Sequence, residues 1–329
     1  MPCLNEEPSG KKMVQILVAV IAAVVLAGCA TAPADTLLLE EGQLGIMRQV
    51  LERKDKIVFL SSGQIGRNKP VVVLLHGATD DPTEMMKILT EWRGQYNVLL
   101  YSYNYHRPVE QVAGDFVGEM KALRSEIERV QPQDVPAGDV TVVTYSYSAI
   151  VFRMAVIIAD DRTLFSNVSL IQLVPTAGGS YLARSMGFPG LDALVSLASK
   201  PSAAVNPYGS LAKELWEGKG NRRFYEAINL NRMVSVILES DPHSLAGVRD
   251  ENVPRRYKNG IGPNVIVIPK SAVVTHEYFP TEPAGLYYLR KALEWSRKKG
   301  DTVDQLSTSP RPTQTPLDVV FRSVPVPDF

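Results

Sequence analysis

A serine hydroxyl attacks a carbonyl carbon only when a base within hydrogen-bond reach takes its proton and an acid orients that base. In "DVTVVTYSYSAIVFRMA" a buried-strand pattern runs straight into an apolar helix pattern, with Ser146 at the junction and Ser148 as its neighbouring rival. Of the four histidines only His243 and His276 follow Ser146. Asp241 follows the apolar run "MVSVILE" after one intervening serine, and Glu239 and Asp250 are the alternative carboxylates. The bland reading of Asp241 is a helix-capping aspartate before "PHSLAGV". No pair of His or Cys residues has metal-ligand spacing, so neither a metal nor another cofactor is expected.

Side chains so far apart in sequence need a scaffold that gathers them. Short apolar runs stand at 71–75, 97–103, 139–145, 167–174, 233–239 and 264–268, rich in Val, Ile and Leu on both faces. Helical patterns stand at about 83–95, 108–130, 147–160 and 284–298. Strands that read apolar on both faces, alternating with helices, predict a mostly parallel, doubly wound sheet covered on both sides. The interval from about 176 to 230 is too long for a connecting loop and is expected to form a helical cap. Within it, "GLDALVSLASKP" and "SLAKELWEG" show helical apolar spacing, which serves either packing on the main domain or an apolar acyl site under a lid.

Thr144-Tyr145-Ser146-Tyr147-Ser148 resembles the nucleophile elbow of the α/β-hydrolases, Gly-x-Ser-x-Gly, with departures at both glycine positions. In that elbow the residues two before and two after the serine pass close together and need to be small. Ser148 and Ala149 meet the demand, Thr144 less well, and a nucleophile at Ser148 would put β-branched Ile150 in the crowded place. The resemblance implies an α/β-hydrolase fold of the serine esterase or lipase type, with the cap inserted after the sixth strand of that fold's own count, here the run at 167–174. It also implies the chain order serine, acid, histidine, which assigns Ser146, Asp241 and His276 as a catalytic triad. His243 sits two residues after Asp241, leaving no later loop to supply its acid. By the same resemblance His76-Gly77-Ala78-Thr79, after the run at 71–75, looks like the fold's His-Gly loop. One backbone oxyanion donor is then the amide of Ala78 or Thr79 and the other that of Tyr147. His76 reads as a brace for that loop.

The first residues are of another kind. Lys11 and Lys12 precede an apolar run at 13–26, shorter than the roughly 20 residues of a membrane-spanning helix and suited to a secretory signal. A start at Met13 would delete those lysines, so an upstream start is expected. Leu26-Ala27-Gly28-Cys29 resembles the lipobox of bacterial lipoproteins, which implies a diacylglyceryl group on the Cys29 thiol. Ala30 after that cysteine implies the outer membrane, facing the periplasm, in a Gram-negative host. A plain secretory signal or a buried Cys29 remain the alternatives. Cys3 is the only other cysteine and leaves with the leader, so no intramolecular disulfide is available.

The organisation expected is a leader over 1–28, a tether and N-terminal segment over 29–56, the hydrolase domain over 57–298, and a Pro-rich tail over 299–329 for which no partner is assigned. Lys plus Arg balance Asp plus Glu at 35 each, which leaves no basic field for a nucleic acid backbone. The expected partners are a small or lipid-like acyl substrate and a membrane reached through the lipid anchor. The expected activity is cleavage of a carboxylic ester or thioester through an acyl-enzyme on Ser146. The alternatives are an acyltransferase using the same three residues and a non-catalytic, hydrolase-like binding lipoprotein.

Overall fold

The computed structural model describes residues 56–59, 69–77, 94–105, 107–130, 140–176, 218–239, 264–269, 282–297 and 320–323, with isolated positions 85, 88, 92, 215, 261, 262, 272, 274, 276, 279 and 280. Its frame is one eight-stranded sheet: β1 (Lys56–Phe59), β2 (Val71–Leu75), β3 (Asn97–Ser102), β4 (Val140–Tyr145), β5 (Ser169–Leu173), β6 (Met233–Leu238), β7 (Asn264–Ile268) and β8 (Val320–Ser323). In space the order is β1-β3-β2-β4-β5-β6-β7-β8. The six inner strands are parallel, and β1 and β8 pair antiparallel at the two edges.

The six apolar runs read from the sequence are these six parallel strands. Strands β2 to β6 are buried along their whole length, as a parallel sheet covered on both faces requires. Side chains alternate between the faces. Val140, Val142 and Leu170 join a core with helix α1 (Val109–Val130) and helix α2 (Ser148–Ile158). On α1 the inward residues Val109, Val112, Ala113, Phe116, Met120, Leu123 and Ile127 recur at three- and four-residue steps, which makes one apolar stripe. Helix α4 (Pro283–Arg297) packs over β5, β6 and β7, and its first residue is a proline, whose fixed φ suits a first helical turn.

Helix α2 is apolar all round and buried from Ser148 to Val156, because it is enclosed by the sheet, α1 and helix α3 (Gly218–Ala227). One charge lies inside that enclosure. Arg153 is fully buried, its Nε donating to the Leu215 carbonyl at 2.6 Å and its Nη2 to the Asn221 side-chain oxygen. Its guanidinium lies 4.1 Å from the Phe224 ring centroid. Burial lowers its pKa to about 10, so it remains cationic near neutrality. These bonds fasten α2 to α3, which lies inside the interval of about 176–230 read as the cap.

Two elements went unread in the sequence, and both are edge strands. The second, β8, comes from the Pro-rich tail and pairs with β7, Val320 opposite Val267 and Ser323 opposite Asn264. A short strand is legible by alternation only over four or more residues with turn signals around it, and four residues of an antiparallel edge offer little of either. Along this chain the interval expected as the cap follows β5, and residues 177–214 of it lie outside the described residues, as do the helical pattern at 83–95 for the most part, the leader, Cys29 and the tether.

Ending the chain at Lys299 removes β8 and uncovers the hydrogen-bonding edge of β7. An uncovered edge is a template for pairing with another molecule. The truncated protein is expected to show a lower Tm and concentration-dependent light scattering that the full chain lacks; equal Tm and equal scattering would mean that β8 contributes nothing.

Candidate active site

Where β4 ends, the backbone makes an uncommon turn. Ser146 has φ of +53°, in the left-handed region that L-residues enter at a cost of about 1–2 kcal/mol. The turn is held on several sides. Ser146 N–H donates to the Leu173 carbonyl of β5 at 3.0 Å, and its own carbonyl accepts from Ala149 N–H at 3.2 Å. Thr176, just past β5, approaches the same carbonyl with its N–H at 3.4 Å. The chain between them carries a second left-handed residue, Val174 with φ of +40°, whose N–H donates to Val236 of β6 at 2.7 Å. A strand, a left-handed serine and an immediate helix put the hydroxyl above the sheet's carboxyl edge with the start of α2 behind it.

His276 reaches that hydroxyl. Its Nε2 lies 2.7 Å from Ser146 Oγ, and both side chains are buried. At this distance the serine can pass its proton directly to the imidazole. The ring belongs to the connection between β7 and α4, and Tyr145 braces that connection by donating its hydroxyl to the His276 carbonyl at 2.5 Å.

Ser148, the sequence's rival, is fully buried and committed to main chain. Its oxygen accepts from Tyr145 N–H at 2.8 Å and lies 2.9 Å from the carbonyls of both Leu75 and Tyr145. This serine therefore ties the end of β2 to the end of β4. It stands where the elbow pattern has glycine, and its hydroxyl is small and polar enough to use the groups that crowd that position.

The loop after β2 closes on the turn. A Cβ added at Gly77 would lie 3.0 Å from two atoms of the Tyr145 ring and 3.5 Å from Ser146 Cβ, so glycine lets this loop sit near without displacing that ring. His76 holds it there. Its Nε2 accepts from Tyr103 N–H at 3.1 Å, which leaves the proton on Nδ1 to donate to the Gly77 carbonyl at 2.9 Å. The Tyr103 ring stacks on the imidazole at 4.2 Å, and its hydroxyl donates to the His76 carbonyl at 2.7 Å. With both nitrogens engaged, His76 is a brace and not a second base for Ser146.

Tyr147 occupies the N-cap of α2, and its amide has no backbone acceptor among the described residues. An amide at that place, at the positive end of a buried helix, can stabilise an oxyanion formed on a carbonyl attacked by Ser146. Burial, and after it the Glu110 carboxylate, push the Tyr147 phenol above its ordinary range, so the side chain stays neutral. Ala78 and Thr79, the other oxyanion candidates, lie outside the described residues, as do Asp241, His243 and Asp250. Glu239 is described and exposed at the end of β6, its N–H donating to Ile268 of β7 at 2.8 Å. The end of β6 thus lies beside the end of β7, from which the His276 connection departs.

The chain has the α/β-hydrolase fold. The strand order decides it, together with a left-handed serine between the central strand and its helix. No known protein family matches the sequence, and no curated protein does. Among solved structures it is similar to lipase B of Aspergillus fumigatus, at 15% identity over 70% of this chain and 53% of that one, with a TM-score of 0.47. It is also similar to esterase PE8, at 12% identity over 73% of this chain and 97% of that one, with a TM-score of 0.41. A third is a hydrolase from Oleispira antarctica, at 14% identity over 76% and 97%, with a TM-score of 0.41. The chain spans about half the length of the Aspergillus lipase.

The sequence reading missed Tyr145, Tyr103 and the Val174–Thr176 wall. The only signal for Tyr145 was its place beside the serine, and for Tyr103 its place at the end of a strand.

The two serines give opposite expectations. Ser148→Ala leaves the buried Tyr145 N–H without its acceptor and is expected to cost about 1–3 kcal/mol in a denaturant titration. Ser146→Ala is expected to leave that titration nearly unchanged while abolishing reaction with a fluorophosphonate. Reversal of this pattern would transfer the reactive role to Ser148.

Proposed function

We propose that this chain is a serine hydrolase that cleaves a carboxylic ester or thioester through an acyl-enzyme on Ser146. The observation that carries the reading is the 2.7 Å contact between His276 Nε2 and a Ser146 Oγ presented on a left-handed turn.

The chemistry follows from that contact. As Ser146 Oγ bonds to the substrate carbonyl carbon, its proton passes to His276 Nε2 and the carbonyl oxygen becomes an oxyanion. The amide of Tyr147, with that of Ala78 or Thr79, would receive this charge; a backbone donor fixed at a helix start, as Tyr147 is, needs no reorganisation as it develops. Collapse of the intermediate breaks the bond to the leaving group, which departs with the proton from the imidazolium. A water then loses its proton to the same nitrogen, attacks the acyl carbon and releases the carboxylic acid, returning the proton to Ser146. Asp241, three residues past β6, is assigned to orient the imidazole and to offset its charge while it carries the proton.

We further propose that the enzyme works at a bacterial envelope, held by a diacylglyceryl group on Cys29. Leu26-Ala27-Gly28-Cys29 supports this, and two acyl chains on one residue suffice for stable anchoring. A site near lipid suits a substrate with a hydrophobic acyl or alcohol portion.

A fluorophosphonate is expected to label the full chain once, on Ser146, and labelling is expected to vanish in Ser146→Ala and His276→Ala. Asp241→Asn is expected to slow hydrolysis of a p-nitrophenyl ester by about 10³–10⁴-fold. Folded wild-type protein that takes up no label would leave the binding-module reading in its place, and acyl transfer to an added alcohol faster than to water would make it an acyltransferase.

Cys29→Ala is expected to move the protein from the membrane pellet to the soluble fraction when cells are fractionated. Equal partition of both forms would remove the anchor.

A further inference from the structure

Tyr145 precedes the serine, and its side chain lies between the loop after β2 and the connection that carries His276. Its hydroxyl donates to the His276 carbonyl at 2.5 Å, and its ring centroid lies 6.0 Å from that of the imidazole. Two adjacent carbons of the same ring, Cδ1 and Cε1, are what a side chain at 77 would strike, so the ring also backs the loop after β2. Its own N–H is fixed by Ser148 Oγ at 2.8 Å, and its Cα is set by the pairing of Tyr145 with Leu173. The ring is thereby anchored at its base by a sheet and a serine, while its tip holds the main chain of the residue that carries the imidazole.

Resting on the hydrolase reading, we propose that Tyr145 is a positioning residue for the reaction, its hydroxyl holding the His276 main chain so that Nε2 stays within proton-transfer distance of Ser146. The physical reason lies in lengths. Ser146 follows β4 directly, but His276 comes eight residues after β7 ends, too far for the sheet alone to fix its position. Proton transfer works over about 2.6–3.2 Å between heavy atoms, and a misplacement of about 1 Å can cost about 100-fold. A phenol hydrogen bond to the carbonyl of His276 itself restrains the imidazole's own backbone, with no intervening residue to flex.

The role differs from stability alone in what it changes. Tyr145→Phe keeps the ring that backs Gly77 and removes only the donor. In the full chain it is expected to lower kcat on a p-nitrophenyl ester by about 10–100-fold per fluorophosphonate-titrated site, with KM changed less than about twofold. Replacement by 4-aminophenylalanine, which restores a donor at the same place, is expected to recover much of the loss. A structural role would instead lower Tm and the number of titratable sites while leaving the rate per site unchanged.

Should the phenylalanine variant fail to fold, 3,5-difluorotyrosine at 145 serves. It keeps the ring and, at low pH, the donor, and loses the donor when its more acidic phenol ionises. The rate is then expected to fall with rising pH where the wild type stays level; coincident pH profiles overturn the proposal. Wild type labelled at Ser146 with the phenylalanine variant reacting at the same rate per site overturns the role of Tyr145 alone, whereas wild type that takes no label overturns the hydrolase reading and this role together.

Discussion

A left-handed serine at the end of a buried parallel strand is the constraint around which the rest is arranged. Leaving that conformation would relieve about 1–2 kcal/mol of strain, yet the turn cannot relax without breaking what surrounds it. Its N–H is bound to Leu173, its carbonyl takes the helix-starting bond from Ala149, and the residue before it is held in register with β5. At about 1 kcal/mol net for each hydrogen bond, these bonds are enough to keep the serine where it is. Strain of this kind persists only where neighbours over-determine it, and here they also aim the hydroxyl away from the strand. The switch in strand order adds the place. β2 lies between β3 and β4, so the chain leaves its end in one direction and returns to β4 from the other, which is the switch point where open α/β sheets bind ligands.

The departures from Gly-x-Ser-x-Gly become intelligible beside that turn. Glycine after the nucleophile serves where the helix start crowds the neighbouring strand end. Ser148 occupies the same place with a side chain that replaces empty space by hydrogen bonds to Leu75 and Tyr145. A glycine serves instead at Gly77, where an added Cβ would press on the Tyr145 ring. Thr144 is a different matter. It lies fully buried in the strand opposite Leu75 and Gln172, and its hydroxyl has no partner among the described residues.

The central sheet was legible in the sequence because parallel strands buried on both faces must be mainly apolar, and "VVVLL", "DVTVVTY" and "MVSVILE" are, with only isolated polar residues among the valines, isoleucines and leucines. Ser146 and His276 were legible because each follows such a run and because a lone serine is inert without a base. The roles of Tyr145 and Tyr103 were not, since a tyrosine at a strand end is apolar enough to pass for core, and only the fold reveals where its hydroxyl arrives. Nor was β8, whose partner lies more than fifty residues earlier in the chain. Arg153 was equally silent: on an apolar helix a lone arginine reads as a surface residue, whereas here carbonyls and the Phe224 face replace the water it gives up.

The parts of this site differ in how they obtain their precision. The serine takes its position from the sheet, since Tyr145 is still in the ladder and Ser146 is bonded to the next strand. Gly77 takes its position from His76, whose two nitrogens join it to Tyr103 and to the loop itself. His276 belongs to the connection between β7 and α4, eight residues past the strand, where the sheet's ladder no longer sets its position. A contact restrains the imidazole best when it starts from something rigid. The end of β4 is bonded to β5 through the sheet and to Ser148 Oγ, which is why a side chain rooted there can hold an imidazole to within the distance a proton can cross.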